Sequence, residues 1–355
     1  MRVMSFASFR IAAGFAAVLV LAAPALAVEP SALESNVVVP VDGVDKTLTL
    51  EEAMAALNIP SVSLALIDGD RIAFAQAYGA SSTPETIYQA ASLSKFVAAV
   101  GAMRLAEAKR LDLDADVNAS LASWKVPQNG FDKGHPVTLR GLLSMTAGIG
   151  VPGFLGYAIG DEVPNLTQIL YGVPPANSAP ITVIAEPGSV YRYSGGSYEV
   201  AEALMVDTMG TSFPDLMKEV VLEPAGMARS GFTTTLPADL DREAMHGHLT
   251  DGSEIPGGYH LFPEHAAAGL WSTPTDLANL LILIGRAWAG RKPAFPCAPD
   301  RAGDADAAET RLLRARRRHR RGRRGPHGHE TGTERRFSVL PHPASRRGQG
   351  HGRDD

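Results

Sequence analysis

The spacing of apolar residues divides the chain into a structured body and a remainder of different character. Val62-Ser63-Leu64-Ala65-Leu66-Ile67 and Ile72-Ala73-Phe74-Ala75 flank Asp68-Gly69-Asp70, and two β-prone runs around an Asp-Gly turn predict a hairpin. Ser92 to about Lys109 carries apolar residues at helical spacing and predicts an amphipathic helix, with Leu111-Asp112-Leu113-Asp114 closing the segment after it. Further helices are predicted from Val137 to Ser144, from Ser197 to Met209 and from Phe213 to Met227, the last two with a glycine near each end. Thr273-Pro274-Thr275-Asp276 is a helix start, and the apolar run Leu280-Leu281-Ile282-Leu283 continues it. No internal repeat is visible.

The first 27 residues have a separate pattern. Arg2 and Arg10 supply positive charge, Ile11 to Leu21 form a short apolar run, and Ala25-Leu26-Ala27 is a small-x-small cleavage site. The expectation is a signal peptide over 1–27, a mature chain from Val28 and a periplasmic or secreted location, with no membrane span once the signal is removed. A single cysteine, Cys297, excludes an internal disulfide framework.

Charge sharpens the division. The net charge of the 355 residues is −5, yet from Pro293 onward 15 Arg face 8 Asp and Glu, so the tail carries +7 and the part before it −12. An acidic body argues against a nucleic-acid partner. The body is thus expected over 28–292 and the tail over 293–355. The tail has no Ile, Tyr, Asn, Met or Lys, and Arg316 to Arg324 is nearly all basic. Three readings of it compete: a basic disordered arm for nucleic acid or anionic lipid, a solvating low-complexity tail, and a reading-frame slip in a GC-rich gene. The slip is favoured. One nucleotide later, the codons of Gly325-Pro326-His327-Gly328 can encode Gly-His-Thr-Gly, and those of Gly350 to Asp354 can encode Val-Met-Val-Val-Met, a buried strand. Sequencing the gene across codons 290 to 300 decides it.

The chemistry concentrates in Ser92-Leu93-Ser94-Lys95. A Ser and a Lys three apart on a helix share one face, where an uncharged amine can take the hydroxyl proton and make a nucleophile. Lys95 is the only lysine in the chain with a serine three residues before it. Ala90-Ala91 before the pair and Phe96-Val97-Ala98-Ala99-Val100 after it make that face too apolar for an ordinary solvated lysine.

Other segments converge with this one. The sequence resembles the serine β-lactamase and penicillin-binding-protein-like hydrolases, particularly the class C-related group of β-lactamases, D-aminopeptidases, D,D-peptidases and esterases. Ser92-Leu93-Ser94-Lys95 resembles the first motif of that family, and Leu142-Leu143-Ser144-Met145-Thr146-Ala147-Gly148-Ile149 resembles its helix-to-loop signature. Pro187 to Gly196, with Tyr193-Ser194-Gly195, resembles the segment bearing its Tyr-x-Asn motif. Glu223-Pro224-Ala225-Gly226-Met227 and Ala267 to Thr273 also match, so the resemblance covers about residues 50 to 290.

The resemblance implies an α+β fold: an antiparallel sheet flanked by helices plus a mostly helical lobe, here missing its C-terminal strands. It implies acyl transfer without cofactor or metal, on a small-molecule ester, amide or β-lactam. Ser92 would be the nucleophile, Lys95 the base and Tyr193 its proton-sharing partner, with Tyr191 and Tyr198 as alternatives for the tyrosine. As a base Lys95 needs its pKa lowered by roughly three units, about 4 kcal/mol. The Ser92 backbone N–H would supply half of the oxyanion hole.

Two departures shape the expectation. Gly195 stands where the family motif has Asn, which weakens a β-lactam or peptide substrate and favours esters or small amides. The third motif, Lys-Thr-Gly or His-x-Gly, is absent from the body, and with it the strand giving the second oxyanion N–H, so the chain as written is expected to be crippled. Loss of those strands is also expected to leave the hairpin near Val62 to Ala75 with an open edge and poor solubility. The competing function classes are a catalytically dead relic that binds cell-wall peptides and an Arg-tail nucleic-acid binder. His246, His248, His260 and His265 suggest zinc only weakly, since no Cys and no His-Glu-x-x-His pattern accompanies them.

Overall fold

The computed structural model describes residues 20–23, 30–79, 82–131 and 134–291. In chain order the strands are β1 (Val20–Ala23), β2 (Val37–Val41), β3 (Val44–Leu48), β4 (Ser61–Asp68), β5 (Arg71–Gly79), β6 (Tyr88–Gln89), β7 (Gly231–Phe232) and β8 (Leu270–Ser272). The helices are α1 (Pro30–Ser35), α2 (Leu50–Ala56), α3 (Leu93–Glu107), α4 (Val117–Ser120), α5 (Leu139–Leu143), α6 (Leu166–Tyr171), α7 (Gly195–Met209), α8 (Phe213–Met217), α9 (Ala238–Asp241), α10 (His265–Ala268) and α11 (Pro274–Trp288). The architecture is α+β, as the family resemblance implies.

Three small sheets are present among the described residues, with strand orders β1-β4-β5, β2-β3 and β6-β8-β7. The predicted hairpin is β4-β5, paired from Ser61 with Gly79 to Asp68 with Arg71, with a register shift at Leu66/Ile67. Among the described residues the expected open edge of the hairpin falls on β5, which pairs with β4 alone. The other side of β4 is covered: Val20–Ala23, from the segment read as a signal, runs parallel to Ala65–Asp68. α11 covers the sheet through Ala278 and Ile282, which meet Ala65 and Ile67.

The main core belongs to the helices. α7 is its axis: every residue from Gly195 to Met205 is buried, because α3, α5, α6, α8 and α10 pack around it. α3 differs from the predicted amphipathic helix. Its buried stripe, Ser94, Lys95, Val97, Ala98, Gly101, Ala102 and Leu105, follows helical spacing, but the opposite side is apolar too. There Phe96, Ala99 and Val100 are half-buried against the same core. The helix therefore has a one-sided burial pattern without a one-sided polarity.

Boundaries follow the caps. α7 starts two residues before its predicted start because the Ser194 side chain accepts from the Ser197 N–H and fixes the first turn there. Gly210 closes the helix in the left-handed conformation, φ 64°. The predicted helix to Met227 keeps α geometry only to Met217 and continues as a π-helical turn over Lys218–Leu222. α11 begins where its Thr273-Pro274 signature places it, the Thr273 hydroxyl accepting from Asp276 N–H at 3.1 Å.

Candidate active site

Ser92 is the N-cap of α3 and is exposed. The residue before it, Ala91, has φ 44°, a left-handed conformation that costs a non-glycine residue about 1–2 kcal/mol. Ser94 holds that turn. Its hydroxyl donates to Ala91 C=O at 2.6 Å and accepts from the Leu270 N–H of β8 at 2.9 Å. Ser94 is fully buried, and sequence reasoning did not single it out. Its signal was the inner position of the Ser-x-x-Lys segment. The Ser92 N–H lies ahead of the first turn, so no carbonyl of α3 can take it.

Lys95 lies one turn on, 5% exposed. Its Nζ donates to Ser92 Oγ at 3.1 Å and to Ala267 C=O at 2.8 Å. The Tyr193 ring centroid is 5.3 Å from Nζ. Burial pushes the Lys95 ammonium below the ordinary lysine range, while Tyr193 beside it works the other way. Among the candidate tyrosines, geometry singles out Tyr193. Tyr198 is buried with its hydroxyl donating to Leu143 C=O, and the Tyr191 hydroxyl points to Met145 Sδ at 3.6 Å. Ser92, Lys95 and Tyr193 thus meet, carried by α3 and by the turn entering α7.

That turn is fastened to the loop after α5. Arg192 N–H donates to Met145 C=O, Gly195 N–H to Pro152 C=O and Gly196 N–H to Val151 C=O, and the Ser194 hydroxyl donates to Gly150 C=O. The approach is close enough to demand glycine. A Cβ on Gly196 would lie 2.8 Å from Gly150 O. A Cβ on Gly195 would lie 3.0 Å from Phe154 Cε2, so any side chain at the family's Asn position would crowd the phenyl ring.

A second layer lies below Lys95. α10 presents its N-terminal N–H groups to two glutamates of α7: Ala266 N–H donates to Glu202 at 2.7 Å and Ala267 N–H to Glu199 at 3.1 Å. Glu199, Glu202 and Glu264 are all essentially buried. Burial pushes Glu199 well above the usual carboxylate range and Glu264 up to about 7. His265 Nδ1 stands 3.5 Å from Glu202. None of these acids was read as functional in the sequence. The histidines do not converge: His246 pairs with Glu254 and His265 reaches Thr234. Among the described residues no group of three or more His, Cys, Asp or Glu could hold a metal ion.

With the site described, comparison with known proteins fixes its kinship. The Beta-lactamase family model matches residues 48–351. The chain belongs to the beta-lactamase family. It is similar to Protein flp of Staphylococcus aureus (strain N315), at 24% identity over 235 residues, covering 64% of this chain and 44% of that protein. The chain thus spans less than half the length of the curated relatives it matches. A solved structure of an octameric penicillin-binding protein homologue from Pyrococcus abyssi matches at 27% identity and TM-score 0.52, covering 66% of this chain and 54% of that one. EstCE1, described as a hydrolase with promiscuous acyltransferase activity, matches at 25% identity and TM-score 0.52, covering 70% and 72%. The family members are serine-hydrolase-like, and the Ser92 and Tyr193 segments lie inside the matched range. No helix of the described residues is long and apolar enough to cross a membrane.

Proposed function

We propose that this chain is an exported serine hydrolase of small esters that works through a Ser92 acyl-enzyme. The observation that carries the reading is the buried Lys95 amine held 3.1 Å from an exposed Ser92 hydroxyl. Ser92 Oγ attacks the ester carbonyl while Lys95 takes the hydroxyl proton, and the leaving alcohol carries that proton away. Water then attacks the acyl-enzyme. Its proton passes to Lys95, with Tyr193 as the neighbouring proton-sharing group, and returns to Ser92 Oγ as the acid departs. The Ser92 N–H polarises the carbonyl as it gains negative charge.

The ester preference rests on Gly195 and Phe154. The amide group that would hold a peptide or lactam side chain is missing, and the Phe154 ring stands close against the Gly195 backbone that would carry it. The hydrolase and acyltransferase description of EstCE1 supports the same class of acyl chemistry. The charged start, apolar run and Ala25-Leu26-Ala27 support a periplasmic or secreted location.

A second reading has its own observation. Among the described residues α11 follows β8 directly, and no later strand brings a second oxyanion N–H. Losing one such donor costs on the order of 10²–10³ in turnover. The alternative is a non-catalytic protein that binds cell-wall peptides. The deciding experiment treats the 355-residue chain with a fluorophosphonate and, separately, with a labelled penicillin, followed by mass spectrometry of the peptides. A stable fluorophosphonate adduct on Ser92 supports the hydrolase. Ligand binding with Ser92 unmodified by either reagent overturns it in favour of the binder.

A further inference from the structure

The acids beneath Lys95 have no part in the acyl-transfer steps above, yet the backbone of one residue connects Glu199 to the base. Ala267 N–H donates to Glu199 Oε1, and Ala267 C=O accepts from Lys95 Nζ. The orientation of the Lys95 amine is therefore tied to the Glu199 carboxyl through the backbone of one residue of α10, whose N–H and C=O lie on the two peptide groups flanking the Ala267 Cα. Glu199 Oε2 is buried and has no hydrogen-bond partner among the described residues. An ionised carboxylate would spread its charge over that oxygen with no donor to hold it, a costly arrangement inside a core.

The neighbouring acids are unfavourable to ionisation as well. Glu202 on the same helix and Glu264 ahead of α10 push the Glu199 carboxyl up, while the Ala267 N–H and Lys95 on α3 pull it the other way without offsetting burial. His265 sides with Glu202, and Tyr157 and His265 act on Glu264. Tyr193 reaches Lys95 from the far side. If Glu199 were negative, the adjacent amine would keep its proton and could not act as a base.

We infer that Glu199 is a positioning residue that works as a neutral carboxylic acid, fixing the Ala267 backbone that aims Lys95 while adding no charge beside it. The inference rests on the reading of Lys95 as the base. Glutamine at this position copies the neutral acid in size and keeps the Oε1 acceptor. Alanine removes both.

The test uses the full chain with isotope-labelled lysine and follows the titration of Lys95 by NMR in wild type and in Glu199→Gln, with Lys95→Met assigning the signal. The expected result is the same Lys95 titration point in both proteins, together with an infrared carbonyl band of a protonated carboxylic acid that is present in wild type at neutral pH and diminished in the variant. A Lys95 titration point that falls in Glu199→Gln overturns the inference, because it means a negative charge was lost. Rates of fluorophosphonate labelling at Ser92 add the kinetic side. Glu199→Gln is expected to label within about threefold of wild type, and Glu199→Ala to slow on the order of a hundredfold, as for a misplaced catalytic group. Wild-type labelling by Glu199→Ala also overturns the inference. Should wild type itself fail to label, the hydrolase reading falls, while the lysine titration still decides the role of Glu199. That titration serves equally if Glu199→Ala does not fold.

Discussion

The helical side of the molecule and the β1-β4-β5 side are built to different standards. Around α7 the core is continuous, with Leu139, Leu142, Ile169, Val200, Met205 and Leu216 fully buried. Around the sheet it comes down to Ala65, Ile67, Ala278 and Ile282, with Ile72 and Leu281 half-covered. No residue of β5 is fully buried, and Trp288 at the end of α11 is 93% exposed. Ser92, Lys95 and Tyr193 all stand on the helical side. The Ser92/Lys95 pair is thus assembled where packing is complete.

The sharpest way to break this comparison is at the nucleophile. Ser92→Ala is expected to remove the fluorophosphonate adduct completely, and Lys95→Met to slow adduct formation about 10³-fold with the melting temperature maintained. An adduct that persists on another serine would detach the chemistry from the helical side. Next comes packing. Leu142→Ala is expected to cost about 4 kcal/mol in urea unfolding and Ile72→Ala about 1 kcal/mol, since one leaves a cavity in a closed core and the other trims a half-open surface. Equal costs would mean that the two sides are equally well packed.

A third measurement probes the charge stored in the helical side. Glu264 has a folded pKa of about 7 against an ordinary value of 4.5. Below pH 4.5 the acid is protonated whether folded or unfolded and carries no penalty. As pH rises the unfolded chain ionises first, so stability falls until about pH 7, by roughly 3 kcal/mol. Glu264→Gln should flatten that fall in a series of thermal melts from pH 4 to 8. An unchanged slope would assign the fall to other groups. The smallest effect belongs to the sheet side. Thr273→Ala removes the cap of α11 and is expected to cost about 1 kcal/mol, and a neutral result in denaturant would mean that Pro274 and packing alone set the start of the helix.

These contrasts follow how far each feature reaches along the chain. The Ser92/Lys95 pair is legible because one helical turn contains it. The starts of α11 and α7 are nearly so, because Thr273 and Ser194 cap their own helices. The β4-β5 hairpin is legible from Asp68-Gly69-Asp70. The role of Glu199 was not, because its partner, Ala267, lies 68 residues away and only folding brings them together. The same holds for Ser94, whose second bond reaches Leu270, 176 residues on. Phe154 beside Gly195 was likewise invisible, although the missing Asn was plain. An empty motif position says that something is lost, and only packing shows what replaces it. The amphipathic reading of α3 failed for another reason: Ser94, Lys95 and Arg104 are polar yet buried, while Phe96, Ala99 and Val100 on the other side are apolar, so polarity does not mark the outside.

One consequence of β1 concerns timing. A polypeptide threads a translocation channel as an extended, unpaired chain, so a leader zipped along Ala65–Asp68 is withheld from the export machinery. If Val20–Ala23 belongs to an export address, a copy that folds early ties its own address into the edge of its sheet. Targeting must then win a race against folding.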